Sequence, residues 1–324
     1  MDKFLKSFFT LILATNTTLL IAKEKKAERK MLVSGSHFNR VAIINENGKE
    51  LWTFKEKQEV NDSWFVKDDQ NKTNYVVMSF KKGIRAVKVN FSAPKENKKE
   101  ILWQYNTTNN FEIQTCQPLA KDKFLLGMSG QKQSMICILT LPDKLKKLYE
   151  IPNALNGGKH YTFRQVRLGD NDNLYYGIFK QHSAYITNFK SEKVITIPMK
   201  KVRHAPFTVV PSFENGEQFA YIGGGEDSTI IKVDEHGDKV WEINNRNLKG
   251  GKLAFVAGIN VLQNGNILVA NWGQMINRNV DTIIEINPKS KEIVWSLSKE
   301  KYKNAITSVQ LISENGKEIY PAVK

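Results

Sequence analysis

Short apolar runs rich in β-branched residues recur along the chain. They include Val41-Ala42-Ile43-Ile44, residues 84–89, 135–139, Thr229-Ile230-Ile231-Lys232-Val233 and Thr282-Ile283-Ile284-Glu285-Ile286. None has a helical period, and runs of this kind predict strands packed on both faces. A second set precedes them: Tyr75-Val76-Val77-Met78, Phe124-Leu125-Leu126, Phe219-Ala220-Tyr221-Ile222 and Ile267-Leu268-Val269-Ala270. Hairpin signals fall between and after the runs at Asn47-Gly48, Asn215-Gly216, His236-Gly237, Asn264-Gly265 and Asn315-Gly316.

The runs belong to a longer repeat that ends in an aromatic. Lys49-Glu50-Leu51-Trp52 returns as Glu100-Ile101-Leu102-Trp103, Asp238-Lys239-Val240-Trp241 and Glu292-Ile293-Val294-Trp295. Lys147-Leu148-Tyr149 and Lys193-Val194-Ile195 are degenerate copies, and successive aligned positions lie 51, 46, 46, 46 and 54 residues apart. A period near fifty residues of short strands predicts a β-propeller with one four-stranded antiparallel blade per repeat. We label the strands of a blade A to D, from the ring's axis outward. The chain before Trp52 has room for strands B, C and D only, and residues 305–313 read as a lone strand A with its turn. The two ends therefore make one blade. The expectation is an all-β, six-bladed propeller whose C-terminal strand closes the ring and removes its exposed sheet edges. Trp52, Trp103, Trp241 and Trp295 are expected to pack against neighbouring blades.

Residues 1–22 read as an export signal. Lys3 and Lys6 precede a mostly apolar stretch, and Thr15-Asn16-Thr17-Thr18 interrupts it, which argues against a permanent transmembrane anchor. Cleavage after Ala22 would leave residues 23–324 as a single propeller domain, periplasmic or secreted. The two cysteines, Cys116 and Cys137, fall on the first and third strands of one blade. Two strand spacings put them roughly 10 Å apart, beyond bridging distance, so both are expected free and buried.

The net charge is +15, from 48 Lys and Arg against 33 Asp and Glu. Such a balance attracts polyanions, but the lysines are scattered over turns such as 95–99 and 144–147 without forming a stripe. Together with export this argues against a nucleic-acid partner, and a monomer is expected.

The ending Gly48-Lys49-Glu50-Leu51-Trp52 resembles the blade motif of quinoprotein-like (PQQ-like) propellers. The acidic metal ligands and vicinal disulfide of the quinone-dependent dehydrogenases in that superfamily have no counterpart in the sequence, so PQQ is not expected as a cofactor. A second resemblance is to exported bacterial six-bladed propellers of unassigned function. It rests on Glu112-Ile113-Gln114-Thr115-Cys116-Gln117-Pro118-Leu119, on His160 followed by Phe163-Arg164-Gln165-Val166-Arg167, and on Asn264-Gly265-Asn266-Ile267-Leu268-Val269 leading into Asn271-Trp272-Gly273. This resemblance implies fold and export, and no reaction. The chain carries Gln274 and Met275 where the group is expected to carry Gly-His.

In a propeller, strand A lines the channel, and the D-to-A and B-to-C connections open on one face. That face receives Glu112, His160, Arg164 and His204 from the first kind of connection, and Asn271 and Trp272 from the second. Glu112, His160, Arg164 and Arg167 suit a carboxylate or sulfate, with arginine as a fork and histidine as a tunable acid or base. Trp272 suits stacking on a sugar ring. The competing reading pairs Arg164 or Arg167 with Glu112 or Asp62 as structural networks. No metal site is expected, nor any nucleophile elbow or phosphate loop. The functional expectation is a propeller that binds a carbohydrate or small anionic ligand at the channel mouth. A glycan-active lyase or hydrolase using the same His and Arg, or a protein-interaction scaffold without a small-molecule site, are the alternatives.

Overall fold

The computed structural model describes residues 27–319 except 37, 69–72, 93–99, 109, 132, 152–159, 161, 299–301 and 303–304. The export signal and His37 lie outside the described residues. Six antiparallel sheets form the ring. The first blade is split between the chain ends: β1 (Arg29–Ser34), β2 (Arg40–Asn45) and β3 (Glu50–Lys55) take their inner strand from β24 (Ser308–Glu314). The second holds β4 (Val60–Asp68), β5 (Thr73–Phe80), β6 (Gly83–Lys88) and β7 (Ile101–Asn106). The third holds β8 (Phe111–Ala120), β9 (Lys123–Gly130), β10 (Ser134–Thr140) and β11 (Lys144–Ile151). The fourth holds β12 (Val166–Leu168), β13 (Asn173–Ile178), β14 (Ser183–Asn188) and β15 (Val194–Pro198). The fifth is β16 (Thr208–Glu214), β17 (Glu217–Gly223), β18 (Thr229–Asp234) and β19 (Lys239–Asn244). The sixth is β20 (Val256–Val261), β21 (Ile267–Asn271), β22 (Ile283–Asn287) and β23 (Glu292–Leu297). Among the described residues no helix is long and apolar enough to cross a membrane.

The aromatic-ended repeat is a bulge. In five blades the register between strands C and D slips by one residue, and the skipped residues are Leu51, Leu102, Leu148, Val240 and Val294. Each stands immediately before the recurring aromatic. The extra residue bends the outer strand and re-aims its neighbour, so Trp52, Trp103, Tyr149, Trp241 and Trp295 turn into the interfaces between blades. Val194-Ile195 in the fourth blade has no aromatic, and its strand pairs without a slip. Only Trp52 is fully enclosed; Trp103, Trp241 and Trp295 are half-buried.

The core lies between blades, which is why the middle strands are apolar on both faces. Each of the six interfaces has its own cluster, such as Leu32, Ile43 and Trp52 against Phe65, Met78 and Val87. Cys116 on β8 and Cys137 on β10 are free and buried in the next one. Burial pushes the Cys137 thiol up to about 12 and, with the charge of Asp62, the Cys116 thiol well above its usual range.

Two devices hold the ring closed. β24 pairs antiparallel with β1 over its whole length, and Arg29 adds an ionic seam. Its guanidinium lies 2.5 Å from Glu285 of the sixth blade and 2.7 Å from Glu314 of β24, and sits over Trp295. Around the channel, inner strands of adjacent blades are stitched by side chains. Gln117 exchanges two bonds with the backbone of Leu168, Asn61 donates to Ile113, Leu311 N–H donates to Asn260, and Phe65 N–H donates to Gln310.

Candidate binding site at the channel mouth

The mouth is built by irregular backbone at the inner ends of the second, third and fourth blades. β8 carries a bulge at Gln114, where its register against β9 slips. The segment before β12 is not a strand, and the buried Phe163 fixes it in place. Phe163 packs so closely on Gly127 of β9 that a Cβ there would stand 2.8 Å from its ring. This irregular entry resolves the alternation problem for the two arginines. Arg164 precedes the strand and turns to the mouth, while Arg167 on β12 lines the channel below.

Glu112, His160 and Arg164 converge. His160 Nδ1 lies 3.2 Å from Glu112 Oε2, and its Nε2 lies 2.6 Å from Arg164 Nη2. Arginine has no acceptor, so Nε2 accepts and Nδ1–H donates to the carboxylate. Arg164 Nη1 also donates to Gln114 Oε1 at 2.9 Å. Lys81 from the second blade stands 3.4 Å from Glu112, and Glu59 approaches His160 at 3.8 Å while accepting from Ser36. Burial pushes the Glu112 carboxyl up, but the His160 bond and the Lys81 charge outweigh it and leave it below the usual carboxylate range. The Gln114 Nε2 donor is buried and has no partner among the described residues.

His204 sits across the mouth on the fifth blade side. It is 4 % exposed, with Nδ1 2.8 Å from Glu226 Oε1 and Phe179 edge-on to its ring. Burial pushes its imidazole pKa down, and Arg203 and Arg164 push the same way, so the opposing pull of Glu226 is overcome. Arg164 links the two halves, since its guanidinium lies 5.9 Å from the Phe207 ring centre. Phe207 packs with Phe179, Phe255 and Trp272 in an aromatic wall.

His204 gives a pH prediction. A histidine that resists protonation when folded makes the unfolded chain bind more protons once the pH drops below its ordinary value of 6.5. Its contribution is complete above that value and is lost as pH falls from there toward the folded pKa. The melting temperature of the wild type is therefore expected to fall between pH 7 and pH 5, and to fall less in His204→Gln. Parallel melting curves for the two proteins would contradict this assignment.

The seven sequence-derived candidates divide into two groups. Glu112, His160 and Arg164 meet, with His204 close by. Arg167, Asn271 and Trp272 make their contacts elsewhere. Arg167 forms a fork on Asp62 with two 2.9 Å bonds, also donates to Thr115, and stacks over Trp64. Asn271 is fully buried and ties two loops through three backbone groups, accepting from Ala254 and donating to Lys252 and Asp281. Trp272 is 7 % exposed and packs on Phe255, leaving no free face for a sugar. The sequence reading did not single out Glu59 or Phe207.

No protein-family model matches the chain, and no curated protein matches it. Solved structures do. A protein of unknown function from Bacteroides caccae is 21% identical with a TM-score of 0.69, over 87% of this chain and 98% of that one. The likeness is of fold. A chain of a nidogen/laminin complex is 8% identical with a TM-score of 0.57, over 87% and 97%. Virginiamycin B lyase from Staphylococcus aureus is 12% identical with a TM-score of 0.52, over 81% and 82%. These neighbours span an unassigned protein, an assembly and a lyase, so they share the ring without sharing a function.

Proposed function

We propose that this propeller binds a small anionic ligand, such as an acidic sugar, at the channel mouth through Arg164, His160 and Glu112. The observation that carries the reading is the convergence of three groups from two blades on one opening, beside a buried Gln114 donor with no partner. An entering carboxylate or sulfate takes the Arg164 fork from His160. Glu112, itself paired with Lys81, holds the imidazole in place. The reading includes an exported, monomeric protein. The quinoprotein-like resemblance enters it as a kinship of blade motifs, without the cofactor.

A second reading makes the mouth a lyase site. The His204–Glu226 pair favours it, because an imidazole kept unprotonated at neutral pH by burial is a general base and its carboxylate partner orients it. The fold likeness to a lyase is compatible with this reading.

The test is calorimetric titration with galacturonate, sulfate and citrate. One of them is expected to bind with one site per chain. Arg164→Ala is expected to weaken it roughly ten- to hundred-fold, the value of a charge-assisted hydrogen bond. Unchanged affinity in Arg164→Ala, or no binding of any acidic compound, would sink the reading.

A further inference from the structure

Below the mouth the inner strands of all six blades enclose a cavity of about 170 Å³. Its lining is apolar at Trp64, Pro211 and Ile259 and polar at Gln165, Asn260, Gln310 and the Asp62–Arg167 pair. The volume is roughly ten times what one water molecule requires. The lower end is crossed by the last hairpin: β25 (Lys317–Glu318) adds to the channel edge of β24, with Glu318 on Lys67 and Lys317 on Gln263.

The protein fixes which end of two amides faces the space. Phe65 N–H donates to Gln310 Oε1 at 2.9 Å, and Leu311 N–H donates to Asn260 Oδ1 at 2.8 Å. A backbone N–H requires an acceptor, so the NH₂ groups are the ends left over; that of Asn260 reaches the Val261 carbonyl at 3.5 Å, which leaves that of Gln310. Gln310 is only 8 % exposed, yet its Nε2 has no partner among the described residues. A buried donor without an acceptor is unfavourable and calls for a bound partner. Asp62 is not that partner, because its oxygens already accept from Arg167, Trp64, Thr115 and the Cys116 N–H. The pair also cancels its own charge, so an ion brought this deep would meet no net opposite charge.

We propose that the channel cavity binds one small neutral molecule that offers an acceptor oxygen, of the ketone, lactone or cyclic-ether class. That oxygen takes the Gln310 Nε2 donor, and the molecule's apolar side lies against Trp64, Pro211 and Ile259. The site is separate from the mouth cluster and takes the opposite chemistry, a neutral acceptor in place of an anion.

Crystals of the full chain soaked in γ-butyrolactone or cyclohexanone test this, with affinities measured by titration in solution. The expected result is one molecule inside the ring with its carbonyl oxygen on Gln310. Gln310→Glu keeps the acceptor for Phe65 N–H and removes the donor, and is expected to weaken binding about tenfold or more. Val210→Phe, which fills the cavity from the fifth blade, is expected to abolish it and decides the matter if Gln310→Glu does not fold. Soaked crystals holding only waters in the channel would overturn the proposal, as would unchanged affinity in either variant. The readout is position inside the ring, so it stands apart from any result with anions at the mouth.

Discussion

Arg167→Met is expected to destabilise the ring by about 3–5 kcal/mol, the cost of leaving a buried charge without its partner. Asp62 is 1 % exposed, and Arg167 supplies its fork, the bond that orients Thr115, and the cover over Trp64. These groups come from the second, third and fourth blades, so the substitution loosens three inner strands together. Because the penalty belongs to the orphaned carboxylate, adding Asp62→Leu to Arg167→Met is expected to recover much of the loss. Denaturant melts of the single and double variants check this. A single variant as stable as wild type would show that water reaches Asp62 and replaces the guanidinium.

Deleting residues 305–324 is expected to be more severe, because it removes a whole inner strand. β1 would lose its β24 partner, Arg29 would lose Glu314 while Glu285 remained buried, and Phe65 N–H would lose Gln310. The exposed edge of β1 then becomes a template for pairing with other chains. Insoluble or larger species are expected in light scattering after size exclusion. A truncated chain that elutes in proportion to its mass, with an unchanged melting temperature, would mean that the ring closes without that strand.

The blade count and closure were legible because they depend on repetition, and the reason is now visible in single residues. Leu51-Trp52, Leu102-Trp103, Val240-Trp241 and Val294-Trp295 repeat because a bulge must precede each inward aromatic. The fourth blade lost the motif where it lost the bulge. The channel stitches were hidden for the opposite reason. Gln117 meets Leu168 and Asn260 meets Leu311, each 51 residues on, but an amide followed one period later by an apolar residue carries no visible pattern. Placement on the mouth face was readable from topology, and it brought Glu112, His160 and Arg164 together correctly. Topology does not tell which polar groups are already satisfied. Asn271 and Arg167 share that face or channel with Glu112, His160 and Arg164, yet local backbone carbonyls and Asp62 consume their donors. Glu59 was missed because it lies just before β4, in a stretch whose approach to His160 is set by the tertiary fold alone.

The most direct test of the central claim is the melting temperature of Arg164→Ala set beside that of Arg167→Met. If the mouth cluster exists to meet a ligand, removing Arg164 costs little folding energy, and the Arg164→Ala protein melts close to wild type while Arg167→Met melts roughly 5–8 °C lower. If both variants melt equally low, Arg164 is a structural pin like Arg167, and the mouth is not a binding site.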